Sequence, residues 1–200
     1  MFEKITETIN SFDKAMRVVY DRYENAKKEL PKNYRGEMLQ EKLNQATKDY
    51  NFVKLNELES YKKIIDEEFN TYYNKINDII TQPVNTEFSS TLEALKSSKD
   101  DISIYEAKLY LDKYKNNYTS CKAIIGLLHS VNKASELNIV NADAIKQELD
   151  DLKGSLLNFA YSYDPNILST SFYLKEETSP ISISQQKVEA FFNQDFLMSH

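Results

Sequence analysis

Glycine and proline are nearly missing from this chain, with 3 and 4 among 200 residues, against roughly 7% and 5% in ordinary proteins. So few turn-formers exclude sandwiches, many-turned barrels and Gly-rich phosphate loops, and they require long elements between turns. Cysteine is represented once. Cys121 has no partner for an intramolecular disulfide and falls on a helical apolar stripe, where it reads as a small core residue. Only His129 and His200 are available as histidines. No HExxH, paired CxxC, DxDxDG, GxGxxG or GxxxxGKS occurs, so a metal centre, cofactor or nucleotide site has no sequence support. A Cys121–His129 dyad is disfavoured because eight residues along one helix separate the two by about 12 Å axially.

Long apolar runs are also lacking. No 18 apolar residues follow one another, and the amino-terminal MFEKITETIN is charged and amphipathic rather than leader-like, which reads as a soluble, intracellular chain without membrane contact. A net charge of −6 argues against general adhesion to nucleic acid or anionic lipid. Two local basic groups stand out against it: Lys27, Lys28, Lys32 and Arg35 around the first turn, and Lys108, Lys115 and Lys122 at seven-residue spacing. The second group fits a flanking heptad stripe that pairs with carboxylates of a neighbouring helix and shields apolar surface. Asp66, Glu67, Glu68, Asp100 and Asp101 sit in polar, repetitive surroundings and read as solvated faces rather than acid/base pairs. No catalytic residue is identified, and the chain reads as non-enzymatic.

What the chain has is periodicity. Phe2, Ile5, Ile9, Phe12, Met16, Val19, Tyr23, Ala26 and Leu30 alternate steps of three and four, predicting a helix over about residues 2–30 that Pro31 stops. The turn PKNYRG then returns the chain antiparallel. From 34 to 81, apolar positions run through Leu39, Leu43, Ala46, Tyr50, Val53, Leu58, Tyr61, Ile65, Phe69, Tyr72, Ile76 and Ile79, predicting one helix of roughly 70 Å. A five-residue step between Val53 and Leu58 and successive four-residue steps through 61, 65 and 69 mark a stutter. There the helix either kinks or part of its length waits for a partner.

A short helix is expected around Phe88, Leu92 and Leu95, followed by the polar SSKDD. Ser103 and Glu106 form a capping box opening a third long helix to about Ser135, with the seam Ile104, Ala107, Leu111, Tyr114, Tyr118, Cys121, Ile125 and Leu128. Gly126 within it marks either close helix approach or a tolerated glycine. Asn141 caps a fourth helix, with Val140 and Ile145 as a hydrophobic staple and the seam Ile145, Leu149, Leu152, Leu156, Phe159 and Tyr163. Asp164-Pro165 ends it. Beyond, ILSTSFYLK and ISIS look strand-like, and Ser182 with Gln185 caps a last short helix carrying Val188, Phe191, Phe192 and Phe196. The expected fold is all-α: an elongated antiparallel helical bundle or coiled-coil hairpin with an irregular C-terminal arm. It divides into a hairpin over 1–82, a second helical part over 83–163 and the arm over 164–200.

With 14 Tyr and 10 Phe, the chain is well supplied with residues that anchor protein interfaces. The candidates for partner contact are Phe191, Phe192 and Phe196 in the terminal FFNQDF, docking either on the chain's own bundle or on another subunit, and then Tyr72 and Tyr73 on the long helix.

The stretch NYRGEMLQEKLNQATKDY, with the Lys/Glu/Tyr/Asn-rich helix running on to NKINDII, resembles uncharacterised helical proteins from phages and prophages of low-GC Gram-positive bacteria. The stretch ISIYEAKLYLDKYKNNYTSCKAIIGLLH is similar in layout to their second helical part, and together the two cover about half of the chain. The resemblance implies a phage product, from the head-assembly region on this reading, with no functional residues to carry over. It implies a scaffold or capsid-accessory role through protein–protein contacts, with a capsid or other virion protein as partner, homo-oligomers through the same seams, and a place in the bacterial host cytoplasm or on the virion. The rival expectation is a phage-encoded inhibitor or adaptor that binds a host protein. No cofactor is expected in either case, and nucleic acid is disfavoured.

Overall fold

The computed structural model describes residues 2–99, 101–130, 138–166, 179–193 and 197–198. The chain is all-α. Among the described residues the helices are α1 (Glu3–Asn33), α2 (Gly36–Ile80), α3 (Thr86–Ser97), α4 (Ile104–Tyr114), α5 (Tyr118–Ser130), α6 (Ala142–Tyr161) and α7 (Pro180–Phe192). Two-residue strands β1 (Asn138–Ile139) and β2 (Leu197–Met198) pair antiparallel, Asn138 opposite Met198 and Ile139 opposite Leu197. Among the described residues no helix is long and apolar enough to cross a membrane. The chain divides into two compact units, residues 1–70 with 151–183 and residues 71–150 with 184–200. The division falls within α2, α6 and α7 rather than between helices.

In the first unit α1 and the first part of α2 form the antiparallel hairpin that the seams predict. Lys4 pairs with Glu68, Phe12 packs on Tyr61 at 4.8 Å and Tyr23 stacks on Tyr50 at 4.7 Å, so partner numbers on α2 fall as those on α1 rise. Pro31 does not stop α1, which continues to Asn33. A proline at this point forfeits one donor, so the Lys27 carbonyl loses its i+4 partner, but it does not stop the residues after it from continuing the helix. The Tyr34 N–H still reaches the Leu30 carbonyl at 3.0 Å. The actual stop is Tyr34 in extended conformation, followed by Gly36 at φ +56°, a left-handed position where a β-carbon would be strained. The long second helix is unbroken over 45 residues, stutter included.

The first part of α2 shares a core with α1 and the end of α6. Its buried residues are Phe2, Ile5, Ile9, Phe12 and Met16 of the α1 stretch, Tyr61, Ile65 and Phe69 of α2, and Leu152, Leu156, Phe159 and Tyr163 of α6 and the residues after it. Phe12 lies edge-on to Phe159 at 6.2 Å and to Tyr163 at 5.4 Å, the offset geometry aromatic rings prefer. The Tyr61 hydroxyl donates to the Leu156 carbonyl at 3.3 Å.

The second unit gathers α3, α4 and α5 with residues 71–80 of α2 and 142–150 of α6. The capping box holds as expected: the Ser103 side chain accepts from Glu106 N–H at 3.2 Å, and the Glu106 carboxylate accepts from Ser103 N–H at 2.8 Å. The third seam, expected as one helix, is two. Lys115–Asn117 interrupt it, and the Asn117 side chain caps α5 by accepting from Ser120 N–H at 2.9 Å. Asn is among the strongest N-caps and a mediocre helix former, and the Asn-Asn pair offers the backbone that exit. A β-carbon on Gly126 would meet nothing within 4 Å, which makes it a tolerated glycine. The Asn141 cap is present, accepting from Asp143 N–H at 3.0 Å.

The C-terminal region differs from the expected arm. ISIS is helical, because α7 starts at Pro180 with Ser179, not Ser182, capping it: Ser179 Oγ accepts from Ser182 N–H at 3.2 Å. Proline at the first helical position loses nothing, since that N–H has no helical acceptor. Ile181, Ser184, Val188, Phe191 and Phe192 are its buried residues, a helical spacing that overrides the local strand preference of Ile and Ser. ILSTSFYLK, Phe196, His200 and the expected end of the third helix near Ser135 lie outside the described residues.

Candidate functional site

The residues singled out at the sequence level for partner contact end up inside the second unit. Phe191 is fully buried, Phe192 and Tyr72 nearly so. Phe191 meets the Tyr118 ring at 5.5 Å, and Phe192 lies 6.2 Å from Tyr72 with the Lys75 ammonium 4.3 Å from its centroid. The Tyr73 hydroxyl donates to the Asp150 carboxylate. Phe196 is outside the described residues. Four of the five are thus engaged within the chain.

Groups with chemical potential are likewise built into structure. Cys121 is buried and its thiol donates to the Tyr114 carbonyl at 3.3 Å; burial pushes it up to about 11, so it is a thiol and not a thiolate near neutral pH. Among the described residues no three His, Cys, Asp or Glu side chains are grouped to hold a metal ion. Two of the heptad lysines have local partners among the described residues. Lys115 bonds Asp112 on its own helix at 3.0 Å and Lys122 lies over the Tyr118 ring. It is Lys113 that reaches a neighbouring helix, pairing with Glu87 at 2.5 Å. Around the first turn, Lys27 and Lys32 bond Glu24 and Glu29 of α1.

The open surface is elsewhere, on the hairpin. No residue from 17 to 60 is buried, although the seam runs through the whole stretch. Phe52 is 67% exposed, Leu55 58%, Met38 57% and Val18 44%. The reason is where α6 stops. After Tyr161 the chain is strapped onto α1. The Tyr163 hydroxyl donates to the Asp13 carboxylate, Asp13 also accepts from Arg17 at 3.0 Å, Arg17 donates to the Pro165 carbonyl at 3.3 Å, and Asn166 donates to the Tyr20 hydroxyl at 2.8 Å. Beyond this strap, residues 21–57 of the hairpin are two helices without a third among the described residues.

Along one flank of the hairpin run two consecutive open grooves. One, of about 570 Å³, is lined by Lys4, Thr8, Ser11, Phe12 and Ala15 from α1 and by Glu57, Ser60, Tyr61, Ile64 and Glu67 from α2, with Glu7 on its rim. The next, of about 290 Å³, is lined by Val19, Arg22, Tyr23 and Ala26 with Ala46, Asp49, Tyr50 and Val53. Their lining positions continue one another in steps of three and four on both helices, as one helix face does. The strap engages a different stripe of α1, Asp13, Arg17 and Tyr20, so the grooved flank is the one α6 leaves uncovered. Burial, with the neighbouring Tyr20, raises the Tyr50 phenol above its usual value, keeping it a neutral donor. Steps of three and four are the one sequence signal for this surface, and they read identically whether a third helix covers them or not. Comparison with protein-family models, curated proteins and solved structures finds no match to this chain.

Proposed function

We infer that this is a non-enzymatic assembly protein, of the scaffold or capsid-accessory type in a phage particle, working through protein–protein contacts made by the hairpin. The observation that carries the interaction role is the uncovered hairpin: a seam of core-forming residues with none buried between 17 and 60, and two large apolar side chains one turn apart, Phe52 and Leu55, more than half exposed. Aromatic and aliphatic residues left outside in this way mark contact surfaces. The phage setting rests on the resemblance of NYRGEMLQEKLNQATKDY and the segments around it.

The test is solution mass across a concentration series, by size-exclusion chromatography with light scattering, alone and with co-expressed virion proteins. An assembly protein gives a concentration-dependent oligomer or a virion complex, and F52E with L55E abolishes it while leaving helicity unchanged. A strict 23.3 kDa monomer that captures no virion component overturns the reading. Capture of a host polypeptide instead would make it an inhibitor or adaptor.

A further inference from the structure

We propose that the two consecutive grooves between α1 and α2 together seat a single amphipathic helix from a partner protein, apolar on the face it buries and carrying Lys or Arg along its flanks. This rests on the reading of the chain as an interaction protein and specifies what it takes hold of.

Length and shape come first. From Lys4 to Ala26 the lining covers 22 residues of α1 rise, about 33 Å at 1.5 Å per residue, which matches a helix of about 22 residues lying along the hairpin. The floor is narrow and apolar: Phe12, Ala15, Tyr61 and Ile64 in one half, Val19, Ala26, Ala46 and Val53 in the other. Small residues at Ala15, Ala26 and Ala46 let a third helix approach closely. Two antiparallel helices with such a trough are the standard receptor for an amphipathic helix read at i, i+3, i+4 and i+7.

Charge then selects the occupant. Glu7, Glu57 and Glu67 rim the longer half, and its one cation, Lys4, is already committed to the Glu68 carboxylate. Glu67 lies 4.0 Å from Lys63 on the exposed surface. In the shorter half Arg22 and Asp49 offset each other. The lining as a whole is negative, so a helix with acidic flanks meets repulsion and one with basic flanks meets complementary charge. A second copy seated groove against groove in parallel would oppose carboxylates to carboxylates, and one seated antiparallel would set the acidic half against a half whose Arg22 and Asp49 cancel, so neither supplies the cations a basic helix would.

The experiment uses the full chain and two fluorescein-labelled synthetic peptides of 22 residues. Both carry the same Leu/Ala face, one with Lys flanks and one with Glu flanks, and binding is followed by fluorescence anisotropy at moderate salt. The Lys-flanked peptide should bind about tenfold more tightly, Glu7→Lys with Glu57→Lys should invert the preference, and Ser11→Trp on the exposed groove wall should abolish both while helicity is retained. Equal binding of the two peptides, binding of neither, or Lys-flanked binding indifferent to the charge reversals overturns the proposal. These outcomes are independent of solution mass. A chain that assembles without preferring the basic peptide loses the occupant and keeps its function; one that prefers it without assembling keeps the groove and loses the assembly role.

Discussion

The two halves of the hairpin have the same secondary structure and the same apolar spacing, yet opposite exposure. In residues 2–16 the seam is Phe2, Ile5, Ile9, Phe12 and Met16, all buried; in residues 17–33 it is Val19, Tyr23, Ala26 and Leu30, none buried. The difference is not in α1 or its pairing with α2, since Tyr23 stacks on Tyr50 as closely as Phe12 packs on Tyr61. It lies in the third layer: among the described residues, α6 and its strap reach α1 no further than Tyr20. Two helices bury a line, whereas three enclose a core. A seam thus specifies that a helix will pack, not how many neighbours it will have.

The sharpest way to break this comparison is chemical. Cys121 is buried, its thiol raised from 9.0 to about 11, so at pH 8 its thiolate population is about 100-fold lower than that of an ordinary exposed thiol. In an F52C variant, the new thiol should react with a disulfide reagent at least about 100-fold faster than Cys121, which should wait for unfolding. Comparable rates would show that position 52 is covered in solution. Next in size is Phe12→Ala. Phe12 is 4% exposed among Tyr61, Phe159 and Tyr163, and its loss should cost about 3–5 kcal/mol in urea unfolding. A cost below about 1 kcal/mol would mean the proximal half is no better packed than the distal one.

What could be read from residues alone follows the range of the forces involved. The α1–α2 pairing, the Ser103–Glu106 box and the Asn141 cap are local matters, set by spacing and by hydrogen bonds within four residues, whereas the spacing of α2 leaves a kink at its stutter open. The interruption at Lys115–Asn117 is hidden in the sequence because it consumes about one turn, so Tyr114, Tyr118 and Cys121 keep their helical spacing across it. Pro31 is a poor marker of the helix end because Tyr34 in extended conformation and Gly36, not the proline, set it. The open surface of the hairpin is least legible of all. Phe52 and Leu55 differ from Phe191 and Phe192 in tertiary surroundings and not in type.

The strap that divides the halves gives a pH-dependent test of intermediate size. Burial, and then the hydrogen bond to the Asp13 carboxylate, raise the Tyr163 phenol well above 10.0. A raised folded value means the native state keeps the proton after the unfolded chain has lost it. The contribution is therefore complete below pH 10 and is lost as pH climbs above it. Tyr163→Phe should cost about 1.5 kcal/mol at neutral pH and should flatten the decline between pH 10 and 11. An unchanged alkaline slope would detach the strap from the boundary it is held to set.

The smallest effect is the most diagnostic. Phe52→Ser with Leu55→Ser removes two large apolar side chains, yet exposed positions of this kind cost no more than about 0.5 kcal/mol each, an order of magnitude below Phe12→Ala. That expectation holds at dilution. If the distal half is where copies or partners meet, stability acquires a mass-action component that grows with concentration, and the double variant should lose that component alone. Unfolding midpoints that coincide with the parent protein at low concentration and fall progressively behind it at high concentration would establish the distal half as an interface. Midpoints already well below the parent at the lowest concentration would place Phe52 and Leu55 in a core, and the two halves of the hairpin would no longer differ.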